Sequence, residues 1–249
     1  MYNADSSPML TNCILWGDTP QEVFGGAVIT YSDVQGGWAG DGNIDVDPCF
    51  AEPGYWHPND DFWVDGDYHL KSEAGRWDPH VYADVDLAGD GIINLLDFGV
   101  LAGLWQQEGV NLPADFDNSG IVDLPDLVLL LDNYLTTCTP GAWVFDDANT
   151  SPCIDVGDPN ADWTAELWPH GKRINMGVYG GTPEASMSLS DAGNIANLDN
   201  DPADNVDFND LGIFVSKWCE EEILIAEDLN RDGVVNFVDY AIFADEWLW

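Results

Sequence analysis

One pattern occurs four times along this chain and limits what it can become. Asp97, Asp126, Asp210 and Asp239 each open a segment with apolar residues one, four, five and eight positions later. That spacing is helical, and every copy ends in an aromatic: Trp105, Tyr134, Trp218 and Trp247. The first two copies lie 29 residues apart, as do the last two, so the chain carries two matched pairs.

An Asp-rich loop precedes each helix. Calcium loops of the EF-hand type place oxygen ligands at positions 1, 3, 5, 7, 9 and 12, with glycine at 6 for a sharp turn. In the last loop Asp228, Asn230, Asp232, the Val234 carbonyl, Asn236 and Asp239 fill these positions, and Gly233 sits at the turn. Val235, at position 8, is suited to anchor the loop to its partner. The second loop fits equally well, with Asp115, Asp117, Ser119, the Ile121 carbonyl, Asp123 and Asp126 around Gly120. The other two are degenerate. The first offers Asp86, Asp90, the Ile92 carbonyl, Asn94 and Asp97, but Ala88 stands at position 3, where Asp84 or a water would have to substitute. The third offers Asp199, Asp201, Asn205, Asp207 and Asp210, with Ala203 at position 5 and Asp204 in place of the glycine. Treating Pro202 and Ala203 as an insertion makes Asn197, Asp199 and Asp201 its early ligands instead. The loops predict two to four bound calcium ions.

The charge balance agrees with cation binding. Six Lys and Arg face 46 Asp and Glu, a net charge of −40 over 249 residues. Asp outnumbers Glu 35 to 11, and short-armed Asp favours turns and metal coordination over helix interiors. Nucleic acid is excluded as a partner, because phosphate binding needs clustered Lys and Arg. No apolar run approaches the roughly 18 residues of a membrane-spanning helix. Yet 45% of the residues are hydrophobic and 12% aromatic, which supports a buried core rather than a disordered acidic tail.

A calcium loop ending in Asp, followed directly by one helix and then repeated, resembles the type I dockerin module. The resemblance covers residues 82–136 and about 194–249, nearly half of the chain. It implies small helical modules folded by calcium, which dock to a cohesin-like or other cell-surface protein, and an extracellular or cell-surface location. The family's recognition positions are 10 and 11 of each loop. Here they hold Leu95 and Leu96, Leu124 and Pro125, Phe208 and Asn209, Phe237 and Val238. They are bulky, and as dipeptides they differ within each pair, which argues against a two-way symmetric docking mode. Leu95, Leu96, Phe237 and Val238 are the candidate partner-binding residues.

The remaining segments read as β structure. Short apolar runs at 13–16 and 27–31 are broken by Gly, Asn, Asp and Pro. The stretches 12–17, 29–37 and 42–48 resemble terminal coils of a right-handed parallel β-helix of the pectin-lyase-like kind, and 151–159 and 173–181 resemble its closing strands. The expected fold is therefore mixed and multidomain: all-β terminal coils of such a helix plus two small α-helical dockerin-like calcium-binding modules. The expected boundaries are 1–79 for the coils, 80–138 for the first pair, 139–187 for the closing segment and 188–249 for the second pair. About three coils are few for a solenoid, and no signal peptide is visible, so a fragment of a longer secreted protein is expected.

Chemistry is harder to find than binding. The carboxylates are too numerous to single out a glycosidase-like pair, and His57, His69, His80 and His170 are scattered. No GxSxG, HExxH or Walker loop occurs. Five cysteines without CxxC spacing disfavour zinc; Cys13–Cys49 and Cys138–Cys153 are compatible bridges, with connectivity left open. The expected function is calcium-dependent, non-catalytic attachment to a protein partner, with polysaccharide as a further candidate. The alternative is the C-terminal part of a polysaccharide-degrading β-helix enzyme whose active site lies upstream.

Overall fold

Strand length follows the apolar runs, which are short. The structure is a computed structural model that describes residues 6–19, 21–56, 63–64, 66–79, 85–89, 91–109, 112–117, 119–135 and 141–247. Its strands are β1 (Met9–Thr11), β2 (Ile14–Leu15), β3 (Val28–Thr30), β4 (Asp33–Val34), β5 (Phe50–Glu52), β6 (Tyr55–Trp56), β7 (Trp63–Val64), β8 (Asp67–Leu70), β9 (Arg76–Asp78) and β10 (Ala142–Val144). The helices are α1 (Leu95–Leu104), α2 (Leu124–Asp132), α3 (Phe208–Ser216) and α4 (Phe237–Asp245).

The strands pair only in twos: β1 with β3, β2 with β4, β5 with β8, β6 with β7 and β9 with β10. β1–β3 and β2–β4 are parallel, with Met9 opposite Val28 and Ile14 opposite Asp33. This corrects the expected fold. Among the described residues there is no parallel β-helix; the chain is a mixed α/β structure of two-stranded sheets and four short helices. A parallel solenoid needs backbone ladders stacked over several levels. Beyond β4 only a one-residue bridge, Asp33 to Ile44, continues the ladder. Beside it a side chain takes over: Asn43 accepts from the Ser32 amide and donates to the Ile29 and Trp38 carbonyls. The segments 151–159 and 173–181, expected as closing strands, run as turns. Their backbones meet at isolated hydrogen bonds, Met176 N to Cys153 O and Gly157 N to Ile174 O, beside side-chain bonds from Arg173 to the Val156 and Gly157 carbonyls.

Residues 1–52, 68–77 and 143–249 form one compact unit, and 53–67 and 78–142 form another. In the first unit Leu70, Cys153, Ile154 and Met176 make one core, and Val23, Ile29 and Val34 a second. A third core, of Ala196, Val206, Phe214, Leu229, Val235 and Phe243, lies under α3 and α4. In the other unit Val85, Ile93, Leu101, Ala114, Val122 and Leu130 play the same part under α1 and α2.

A helix of nine or ten residues makes fewer than three turns, so each buries only one large side chain completely: Leu101, Leu130, Phe214 and Phe243. The position-8 residues of the loops, Ile93, Val122, Val206 and Val235, are as deeply buried and complete each core. Of the other aromatic and leucine positions of the repeat, Phe98, Trp105 and Tyr240 are exposed. Leu127, Tyr134, Leu211, Trp218 and Trp247 pack at the core margins.

The cysteines correct a second expectation. Cys13, Cys49 and Cys153 are free thiols, as is Cys219. Cys13 Sγ donates to the Thr11 carbonyl and Cys153 Sγ to Asp33 Oδ2, each at 3.2 Å. Cys138, with Asp84, Asp90, His57 and His80, lies outside the described residues. Among the described residues no helix is long and apolar enough to cross a membrane.

Candidate metal centres

Each loop ends by capping the helix that follows. Position 9 is the N-cap (Asn94, Asp123, Asp207 or Asn236) and position 12 is the third helical residue. The position-12 carboxylates of Asp97, Asp126, Asp210 and Asp239 are fully buried. One oxygen of each accepts the N-cap amide at 2.7–2.8 Å. The other reaches back to an amide near the loop start: Ala88, Asp117, Asp199 or Asn230. A single Asp thus closes both helix and loop, a reciprocal capping box extended by one bond.

The first position does the complementary work. Asp115 accepts from the Ser119 and Gly120 amides, and Asp228 from those of Asp232 and Gly233. Asp86 accepts from Gly89 and Gly91. The turn residue is left-handed, which favours glycine: Gly91, Gly120 and Gly233 have φ of 80°, 85° and 88°, and Asp204 in the third loop takes 55°.

These constraints bring acids together in two loops. One carboxylate oxygen from each of Asp115, Asp117 and Asp126 lies within 4.8 Å of the others, and the same holds for Asp228, Asp232 and Asp239. Burial pushes the Asp115 and Asp228 carboxyls above their ordinary range, and a like charge adds to it, from Asp126 and Asp239 respectively. Asp123 Oδ1 is buried with no hydrogen-bond partner. Ser119 Oγ donates to the Ile121 carbonyl, and Asn236 Nδ2 donates to the Val234 carbonyl. The donor set is all oxygen and mostly anionic, which suits a hard divalent cation such as calcium and not a soft one.

The degenerate loops differ. Around 86–97 the described residues bring Asp86 and Asp97 together, and Asn94 Nδ2 donates to the Ile92 carbonyl. Burial works against ionisation of Asp97, but the Ala88 and Asn94 amides outweigh it and hold the carboxyl below its usual range. In the third loop the hydrogen bonds follow the register with the insertion. Asn197 Oδ1 accepts the Asp201 amide as Asp228 Oδ1 accepts that of Asp232. Asp199 likewise accepts from Asp201, as Asn230 does from Asp232. Asn205 instead donates Nδ2 to Asp201 Oδ2, and Asp207 caps α3 by accepting from Asn209 N. Among the described residues neither loop gathers three carboxylates as the other two do.

Two cations at the C-terminal pair were not singled out by sequence spacing. Lys172 Nζ lies 2.5 Å from Asp204 Oδ2. Arg231 is half-buried and donates to the carbonyls of Ile225, Asp228 and Trp168. Burial lowers its pKa to about 10, with Asp228, Asp239 and Glu227 opposing, so it stays charged at neutral pH. Lys172 is 32 residues from its acid, a separation at which no motif signals a contact.

The candidate partner-binding residues open the helices and point outward. Leu95 is 70% exposed and Phe237 76%, and Leu96 and Val238 are exposed beside them. The equivalent Leu124 and Phe208 are exposed as well.

No family model and no curated protein matches the sequence. Among solved structures the chain is similar to a type II cohesin-dockerin domain from Bacteroides cellolosolvens. The identity is 32%, over 23% of this chain and 92% of that chain, with a TM-score of 0.21. A likeness of that size does not bear on the fold of the chain as a whole.

Proposed function

We propose that each helix pair is a non-catalytic, calcium-stabilised docking module for a cohesin-like or other extracellular or cell-surface protein. The observation that carries this is the convergence of Asp115, Asp117 and Asp126, and of Asp228, Asp232 and Asp239, within 4.8 Å in loops whose next residues are exposed and apolar. Bound calcium would supply the positive charge that these carboxylates lack. The chain does the rest. Asp126 and Asp239 fix the helix starts, Val122 and Val235 lock the loops to the cores, and Leu95, Leu96, Leu124, Phe208, Phe237 and Val238 are left facing solvent. Each pair therefore leaves apolar side chains exposed at its helix starts on a strongly anionic chain, which a docking partner would cover.

The two described histidines are buried. His69 is fully buried, stacked on Tyr179 at 3.5 Å and near Glu184. His170 is buried, and its Nδ1 accepts the Lys172 amide.

Calorimetric titration of the chelated full chain with calcium, followed by far-ultraviolet circular dichroism, tests the reading. Two or more ions bound with a gain of helix support it, as does capture of a cohesin that chelation abolishes. No binding heat and no change in helix would remove it.

A further inference from the structure

Resting on the calcium reading above, we infer that the two helix pairs respond to different calcium concentrations. The first depends wholly on external cations, and the second is partly held by resident ones.

The unit containing α1 and α2, residues 53–67 and 78–142, has fifteen carboxylates and no Lys or Arg. All six basic residues belong to the other unit. With Asp115, Asp117 and Asp126 within 4.8 Å of one another, loop amides offset part of the repulsion in the first pair, but no Lys or Arg of its own unit does, and a bound cation supplies the missing positive charge.

The second pair is built differently. Arg231 sits inside its own calcium loop. It donates at 2.6 Å to the backbone carbonyl of Asp228, the first ligand position, and at 2.9 Å to that of Ile225. The same group reaches the Trp168 carbonyl at 3.2 Å. From the neighbouring turn Lys172 closes on Asp204, whose other oxygen accepts from Asn197 Nδ2. The stem of Lys172 runs over Gly193, where a Cβ would come within 3.2 Å of Cε. Both loops of this pair are thus pinned by half-buried positive charge to residues 168–172. Calcium adds to a loop already held in place, whereas in the first pair it must create the charge balance. As calcium falls, α1 and α2 open first and α3 and α4 persist, so one docking face is switched by calcium and the other is standing.

Hydrogen–deuterium exchange on the full chain across a buffered calcium series tests this. Protection in 91–109 and 119–135 is expected to disappear at a calcium concentration roughly tenfold higher than protection in 206–247. Combined Lys172→Met and Arg231→Met substitution should move the second midpoint up toward the first, while Lys172→Arg should leave it in place. A shared midpoint in the wild type, or earlier opening of the second pair, overturns the inference. So does a second midpoint that the double substitution does not move. Should the double variant fail to fold even in calcium, the wild-type midpoints decide alone. Calcium-independent protection of both pairs would instead remove the docking-module reading itself, which separates the two failures.

Discussion

The ring of Phe237 meets Trp218 edge-on at 4.9 Å, and Phe208 meets Trp247 in the same way at 5.2 Å. Phe208 and Phe237 are 29 residues apart, and so are Trp218 and Trp247. The first residue of each helix therefore packs on the aromatic that ends the other, as a local two-fold exchange requires. The first pair shows the same exchange in its backbone, where Gln106 N donates to Val122 O and Leu135 N to Ile93 O. The dipeptides at positions 10 and 11 argued against symmetric docking. In space the departure is confined to position 11, since position 10 is Leu in both loops of the first pair and Phe in both of the second.

Phe237→Ser combined with Val238→Ser should leave calcium stoichiometry unchanged and weaken partner binding. An edge-on aromatic pair contributes about 0.5–1.5 kcal/mol, and both side chains are exposed. Thermal unfolding in saturating calcium should therefore move down by only a few degrees. Collapse of the fold would place these residues in the core and off the docking face.

Asp228→Ala and Asp239→Ala should each remove one ion from the C-terminal pair, but they separate in chelator. Asp239 also closes the capping box, accepting from Asn236 N and Asn230 N while fully buried. Its loss should cost about 1–2 kcal/mol even without calcium. Asp199→Ala should lower the ion count less, since the third loop does not gather three carboxylates. Chemical unfolding with and without chelator, beside calorimetric counts, reads both effects. Equal cost in chelator for Asp239→Ala and the wild type would remove the capping role.

The helix pairs were legible in the sequence because their signals are local. A 29-residue repeat, ligand spacing and position-8 apolar residues all lie within one loop and its helix, and Val235 and Phe243 are buried together as that pattern implies. The β segments were misjudged because runs such as Ile14–Leu15 and Asp33–Val34 match the start of a solenoid without specifying how far the ladder extends. Asn43 ends it with side-chain hydrogen bonds that strand propensity does not register. The contacts of Lys172 with Asp204 and of Arg231 with the Trp168 carbonyl are not legible for another reason: they span 32 and 63 residues.

The free thiols lead to a redox prediction. Reductant should leave the melting temperature unchanged, because Cys13, Cys49, Cys153 and Cys219 are unbridged. Cys153→Ala should destabilise the first unit by about 1–3 kcal/mol, since it leaves Asp33 Oδ2 buried without its donor. Cys153→Ser, which keeps a donor, should cost less. Equal losses for the two variants would show that packing, not the hydrogen bond to Asp33, sets the requirement at this position.

Glu166 makes stability depend on pH, because burial favours its protonated form. It is buried and its Oε1 accepts from the amides of Asn175 and Gly181. Burial outweighs those bonds and, with Asp155 nearby, raises its pKa from 4.5 to about 7. The folded state then holds a proton that the unfolded chain releases, so its contribution is complete below pH 4.5 and is lost as pH rises through 7. The shift corresponds to about 3 kcal/mol. His170 runs the other way: burial, with Lys172 beside it, lowers its pKa to about 4, so its contribution is complete above 6.5 and is lost as pH falls toward 4. Between pH 4.5 and 6.5 the two slopes oppose each other. Glu166→Gln keeps an oxygen for both amides and removes the first slope. Relative to the wild type it should be neutral near pH 4 and gain stability up to about 3 kcal/mol above pH 7. Urea unfolding of both proteins at pH 5 and pH 8, in chelator so that the calcium loops do not contribute, measures the difference. A gain that is the same at both pH values would mean that Glu166 is already ionised in the folded protein.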